Sequence, residues 1–369
     1  MKRLVWAAAM GLWGWTLSAQ VTITSKDMFN EVGLYYRAYA HDPGPSPLAP
    51  NIFSSANRMG TAGPDRFWDF STGPTAQIQR YDYLDPAGVP EASDFPGTTV
   101  VERKTIEGVS GEEWLMFEPI PGIGRRVHGI VTDVALLGRQ PLLFSPPPID
   151  FPDTINYQDT WNNDFTYVAE EVFGTDPEDP DSGYSFRIRQ HYSQKFTVDA
   201  WGVMLLPNLG LLDVLRVNGE TTVLSEYYDD FISQGWEFVG TDYARVYYWI
   251  SPDHGIVAQL QSAAYSSLAP DNFDRALGFV RMFETNKKPG SGTNAPQPVT
   301  GLRMTVSNNR VLLQWNRSAN TSRYRVEYST GGFGPDDWHS VSAETQNDYL
   351  FDPAGPDGSG RFYRVVSVP

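Results

Sequence analysis

The chain has 369 residues, 28 of them Lys or Arg and 44 Asp or Glu, with a net charge of −16 and no Cys. Without thiols there is no disulfide framework, thiolate zinc site, cysteine nucleophile or acylated N-terminal cysteine, and so acidic a chain disfavours nucleic acid, whose phosphates are bound by Lys and Arg. The 20 Phe, 19 Tyr and 11 Trp, set among 33 Gly and 28 Pro, favour sheets with many turns over helices.

Lys2 and Arg3, the apolar stretch from Leu4 to Leu17 and the small residues Ser18 and Ala19 form the three parts of a secretory signal. Residues 1–19 are therefore expected to be removed by cleavage after Ala19. The apolar stretch is about 14 residues long, short of the roughly 20 that span a bilayer, and no later stretch approaches that length. The mature chain, with its charge lowered to −18 by loss of Lys2 and Arg3, is expected to lack a transmembrane segment and to act outside the cell, at its surface or in the periplasm.

Residues 20–287 read as one large, predominantly antiparallel β domain, a sandwich or a curved half-barrel. Runs of four to nine residues rich in Val, Ile, Tyr, Phe and Trp recur between turn clusters, and helical periodicity is scarce. Ser25 to Tyr39 has capping residues for a helical turn or two, which Pro43, Pro45, Pro47 and Pro50 prevent from continuing. Tyr184 to Arg189 alternates. Lys195 to Ala200 reads as a strand that ends in a bend at Gly202, and Val203 to Leu206 turns through Pro207-Asn-Leu-Gly210 into Leu212 to Val217. A second hairpin joins Tyr243 to Ile250 with Gly255 to Ser262. Trp68-Asp-Phe-Ser71, Ser145 to Pro152 leading to Trp161, Val198-Asp-Ala-Trp-Gly202 leading to Val214-Leu-Arg-Val217, and Tyr248 to Pro252 resemble an uncharacterised family of large exported bacterial β-proteins, common where type IX secretion operates. The resemblance implies export and no assigned reaction. That family's C-terminal sorting module does not occur in the tail, so surface attachment by that route is not expected.

Residues 288–298 are rich in Pro, Gly and polar side chains and read as an interdomain linker. Residues 299–369 read as a small β-sandwich, with Val311, Leu313 and Trp315 on one face of a strand and Tyr324, Val326 and Tyr328 on one face of another. Leu313-Gln-Trp315, Tyr324 to Ser329, Trp338 and Arg361 to Val365 resemble fibronectin type III-like modules of bacterial secreted proteins, which implies that Trp315 is the core tryptophan and the tail a spacer or adhesion unit.

No residue set announces catalysis. The five histidines, His41, His128, His191, His254 and His339, are scattered without metal-ligand spacing, and no nucleophile elbow, phosphate loop or dinucleotide turn occurs. The doublets Glu112-Glu113, Glu170-Glu171 and Asp229-Asp230 place neighbouring carboxylates on opposite faces of a strand, unsuited to paired acid–base work. Asp176, Glu178, Asp179 and Asp181 crowd one Pro-rich loop, read either as a solvated acidic loop or as a calcium site; no other cofactor is expected. Trp161, Trp201, Trp236 and Trp249 are candidates for stacking on a sugar ring, weighed against packing in a β core.

These features point first to an exported, non-catalytic binding or structural protein whose partner is an extracellular glycan, an envelope protein or an apolar ligand. One alternative is a carrier holding a hydrophobic ligand in a cavity wrapped by a curved sheet. Another is a secreted polysaccharide hydrolase, which needs two carboxylates facing each other across a groove.

Overall fold

The structure is a computed structural model describing residues 21–368 apart from 45–49, 135–136, 174–182, 231–234, 253, 288–298, 308–309, 319–320, 322, 332–336, 343 and 353–359. The expected signal, the linker and the acidic loop with Asp176, Glu178, Asp179 and Asp181 lie outside the described residues. The protein is all-β. Its only helical elements among those residues are two 3-10 turns, Pro86–Gly88 and Pro90–Asp94. The expected helical turn near Ser25 is replaced by tight turns leading into strand Tyr35–Ala40, where Tyr36, Ala38 and Ala40 are buried and the residues between them less so.

One 15-stranded sheet dominates. In spatial order its main path runs through Thr160–Phe173, Tyr184–Leu206, Gly210–Asp229, Glu237–Ser251, Gly255–Ser262, Arg275–Thr285, Tyr35–Ala40, Gln77–Leu84, Val100–Ile106, Glu112–Ile120, Gly124–Val134 and Ile149–Pro152. Every pair along this path is antiparallel. Gly138–Leu143 also pairs with Gly124–Val134, and just beyond it the two ends of the sheet meet: Ser145 and Thr166 exchange two backbone hydrogen bonds of 2.9 Å. A single bridge does not close a barrel, but it brings the sheet round so that one face looks inward on itself.

The two hairpins appear where turn chemistry placed them. Tyr184–Leu206 turns into Gly210–Asp229 with Asn208 and Gly210 at φ +60° and +75°, and Glu237–Ser251 turns into Gly255–Ser262 with Gly255 at φ +60°, a region open to Gly at little steric cost. The strand expected to end at Gly202 continues through it to Leu206, with shifts in register against its partners between Val198 and Gly202. Gly202 has another reason to lack a side chain. Strand Gly63–Asp69 pairs with Tyr184–Leu206 in parallel, filling the edge left free where Thr160–Phe173 ends, and a Cβ on Gly202 would lie 1.9 Å from the Arg66 carbonyl oxygen.

That added strand covers the outer face of the sheet. Trp68 and Phe70 meet the fully buried Trp249 edge-on at 6.0 and 4.9 Å, and Phe70 meets Phe279 at 5.1 Å. Buried irregular backbone leaves carbonyls without a sheet partner, and such groups must find donors. Arginine forks supply them here. Arg281 donates to the carbonyls of Phe70 and Pro74 at 2.8 Å each; Arg216 donates to Met59 and Gly60 while paired with Asp199 through two 2.8 Å bonds. Trp68 adds its indole N–H to the Met59 carbonyl at 2.8 Å.

In the tail, Thr300–Ser307, Arg310–Asn316 and Tyr349–Asp352 form one three-stranded sheet, and His339–Ser340, Arg323–Ser329 and Phe362–Val368 another. Val311, Leu313 and Trp315 of the first pack against Tyr324, Val326 and Val365 of the second, the face-to-face burial that alternating side chains dictate.

His254, in the turn before Gly255–Ser262, is buried at 7 % exposure with Nδ1 3.1 Å from the Pro252 carbonyl oxygen. Burial first, then the Arg317 and Lys287 charges, push it down to about 4, against the opposing pull of Pro252 and Asp27. A base neutral in the fold and protonated near 6.5 when unfolded contributes stability that is complete above 6.5 and drains away as pH falls toward 4. Between pH 7 and 4.5 the wild type should lose about 2 kcal/mol relative to His254→Gln, read from urea unfolding at each pH. Parallel pH profiles for the two proteins would remove His254 as the cause.

Candidate functional site

The inward face of the rolled sheet lines a partly open cavity of about 270 Å³. Its wall comes from strands on opposite sides of the roll: Tyr36, Tyr81, Leu115 and Val127 from one arc, Phe165, Phe196 and Tyr248 from the other, with Val280 and Met282 between. Alternation explains the wall. Opposed residues such as Tyr248, Gln259 and Val280 share one face, whereas Trp249 and Arg281 turn to the outer face.

Three charged side chains line this cavity: Glu102, Arg125 and Asp150. Arg125 is 6 % exposed and grips Asp150 through Nε, at 3.0 and 2.9 Å, and through Nη2. Its guanidinium lies over the rings of Phe117 and Phe151, 4.9 and 5.3 Å from their centres. Glu102 sits farther off, with Oε2 3.9 Å from Arg125 Nη1 and accepting from the Tyr83 hydroxyl at 2.6 Å. Burial raises the Glu102 carboxyl above its ordinary value against the opposing pulls of Arg125 and Tyr83. Burial works against the Arg125 charge, but Asp150 outweighs it and drives that group upward. The Tyr248 hydroxyl is pushed up to about 12, chiefly by burial. Among the described residues, Glu102 Oε1, Arg125 Nη1 and the Tyr248 hydroxyl make no hydrogen bond.

The four tryptophans singled out from the sequence are dispersed. Trp249 is fully buried and Trp201 is 7 % exposed, so neither presents an open face to a sugar. Trp236 is half-buried, with the Arg189 guanidinium 4.1 Å from its ring centre. Trp161 alone adjoins the cavity: it stacks on the lining residue Phe196 at 5.1 Å and donates its N–H to the Asp150 carbonyl at 3.1 Å. Among the described residues no group of three His, Asp or Glu side chains is arranged to hold a metal ion. Glu113 is bound to Lys104 at 2.6 Å, and Glu170 to Arg187 at 2.8 Å and to Ser185. A second hollow, about 360 Å³ between residues 57–62 and Tyr247, contains Arg216 and Asp199, both already engaged in holding that segment.

Glu102, Arg125 and Asp150 were invisible as a set because they lie on three strands, brought together only by the pairing of Val100–Ile106, Glu112–Ile120, Gly124–Val134 and Ile149–Pro152. Each carried a faint local signal. Glu102 shares a strand face with Val100 and Lys104, and Asp150 interrupts the apolar run Ile149 to Phe151.

No family model matches the chain, and no curated protein matches it. A solved structure similar to it is that of a Bacteroides fragilis protein with a YmcC-like fold, 12 % identical, covering 70 % of this chain and 98 % of that one, with a TM-score of 0.27. A score that low does not establish a shared fold. Among the described residues no helix is long and apolar enough to cross a membrane.

Proposed function

We propose that this chain is an exported, non-catalytic binding protein that holds a small, largely apolar ligand inside the rolled sheet. The observation that carries the reading is the cavity itself, lined mostly by aromatic and aliphatic side chains with a few fixed polar groups, the composition of small-molecule sites. At about 270 Å³ it suits a compact body and not a polymer. Hydrolysis is the weaker reading, since a two-carboxylate mechanism needs a second free acid and both oxygens of Asp150 are taken up by Arg125.

The test is binding of an environment-sensitive apolar dye to the full chain and to Val280→Phe, which fills the cavity from its wall. The wild type should bind one equivalent, and the variant should bind at least about tenfold more weakly while keeping its melting temperature within a few degrees. Equal binding by a folded Val280→Phe would place the dye elsewhere and remove the proposal.

A further inference from the structure

We infer that the cavity selects an amphiphile with a cationic head, an alkylammonium, held by Glu102. This inference rests on the enclosed-ligand reading above and names the chemistry of what is enclosed. The first ground is charge. The lining holds two carboxylates and one guanidinium, and Asp150 takes both Nε and Nη2 of Arg125, leaving Glu102 at 3.9 Å from Nη1 with no direct hydrogen bond to a cation. Lys104, the other base that acts on Glu102, is held by Glu113 at 2.6 Å. One carboxylate of the lining thus has no hydrogen-bonded cation in a largely apolar pocket, where a cation that reaches it is favoured.

The second ground is geometry. Glu102 Oε2 is committed to the Tyr83 hydroxyl, whereas Oε1 is free to accept. Glu102 stands among aromatic rings: Tyr36 and Tyr81, stacked at 4.3 Å, line the cavity with it, as do Phe196 and Tyr248. Ring faces attract cations and pack against alkyl chains, so one wall accommodates both halves of an alkylammonium. An anionic head would add a second uncompensated charge. A neutral head would leave Glu102 as it is. The raised titration of Glu102 agrees: burial disfavours its charge, and an incoming cation restores it.

The experiment is competition by octylamine, octanol and octanoate against the bound dye, on the full chain and on Glu102→Gln, at high ionic strength to screen the acidic surface. In the wild type octylamine should compete at least about tenfold better than octanoate and clearly better than octanol. Its advantage should grow as pH rises through the raised titration of Glu102, while the amine stays charged. In Glu102→Gln octylamine should fall to the level of octanol, with octanol unchanged. Octanol or octanoate equal to octylamine in the wild type, or an amine preference that survives Glu102→Gln, overturns the cationic assignment and leaves the enclosed-ligand reading standing. Failure of all three to displace the dye overturns both.

Discussion

Gly202→Ala is expected to cost at least about 3 kcal/mol and to reduce soluble yield sharply, because overpacking against groups that cannot move lies at the severe end of single substitutions. The new methyl would sit 1.9 Å from the Arg66 carbonyl oxygen, 2.5 Å from its nitrogen and 2.6 Å from its carbonyl carbon. All three are backbone atoms, so no rotamer change relieves the overlap. The parallel strand Gly63–Asp69 must then leave the edge of Tyr184–Leu206, uncovering Trp68 and Phe70 and exposing Trp249 beneath them. Gly240→Ala is the control. That residue lies in strand Glu237–Ser251 with no atom within 4 Å of an added Cβ, and the substitution should be neutral or stabilise by about 0.5 kcal/mol. Urea unfolding of the two variants decides the matter; a Gly202→Ala protein as stable as Gly240→Ala would mean that the two strands do not pair as described.

Arg125→Met is expected to destabilise by about 3–5 kcal/mol at neutral pH, the usual consequence of removing one partner from a buried ion pair. Methionine roughly preserves the volume over Phe117 and Phe151, so the loss is electrostatic: Asp150 and Glu102 are left buried without a cation. Glu102, already raised by burial and no longer opposed by Arg125, would then titrate higher still in the fold. Acids with raised folded values destabilise the fold when ionised, so the variant should gain stability as pH falls from 7 toward 5. The double variant Arg125→Met with Asp150→Leu should recover much of the loss, since an apolar replacement of a whole buried pair is often close to neutral. Additive losses in the double variant would show that Arg125 and Asp150 do not act as a pair.

Binding and stability are linked at this site. The charge left over on Glu102 makes the empty cavity less stable than an apolar filling, and a ligand that neutralises it should raise the melting temperature by mass action. The outer face shows the opposite arrangement. Arg216 and Arg281 are both about 1 % exposed; Arg216 is spent on Asp199 and the carbonyls of Met59 and Gly60, and Arg281 gives both terminal nitrogens to the carbonyls of Phe70 and Pro74 while its Nε makes no hydrogen bond. Those arginines hold the covering segment in place. The Trp68-Asp-Phe-Ser71 motif acts in the same way: Trp68 and Phe70 pack on Trp249, while the Asp69 carboxylate accepts from the Ser71 amide and hydroxyl at 3.0 and 2.6 Å.

Much of the architecture was legible before any coordinates. Period-two alternation in Arg310–Asn316 and Arg323–Ser329 states which side chains face a core, and the Asn-Leu-Gly and His-Gly turns state where two hairpins reverse. Both are local properties, written within a few residues of chain. The reason for Gly202 was not local. A glycine beside a tryptophan looks like a bend, and only the passage of Arg66, far away in the chain, shows that the position is empty because another backbone occupies the space. The cavity was hidden for the same reason. Glu102, Arg125 and Asp150 sit on strands whose own patterns look ordinary; strand pairing makes them neighbours, and the curl that brings Ser145 to Thr166 sets the opposite wall across from them. Alternation tells each side chain which face it is on; the curvature of the whole sheet determines what that face encloses.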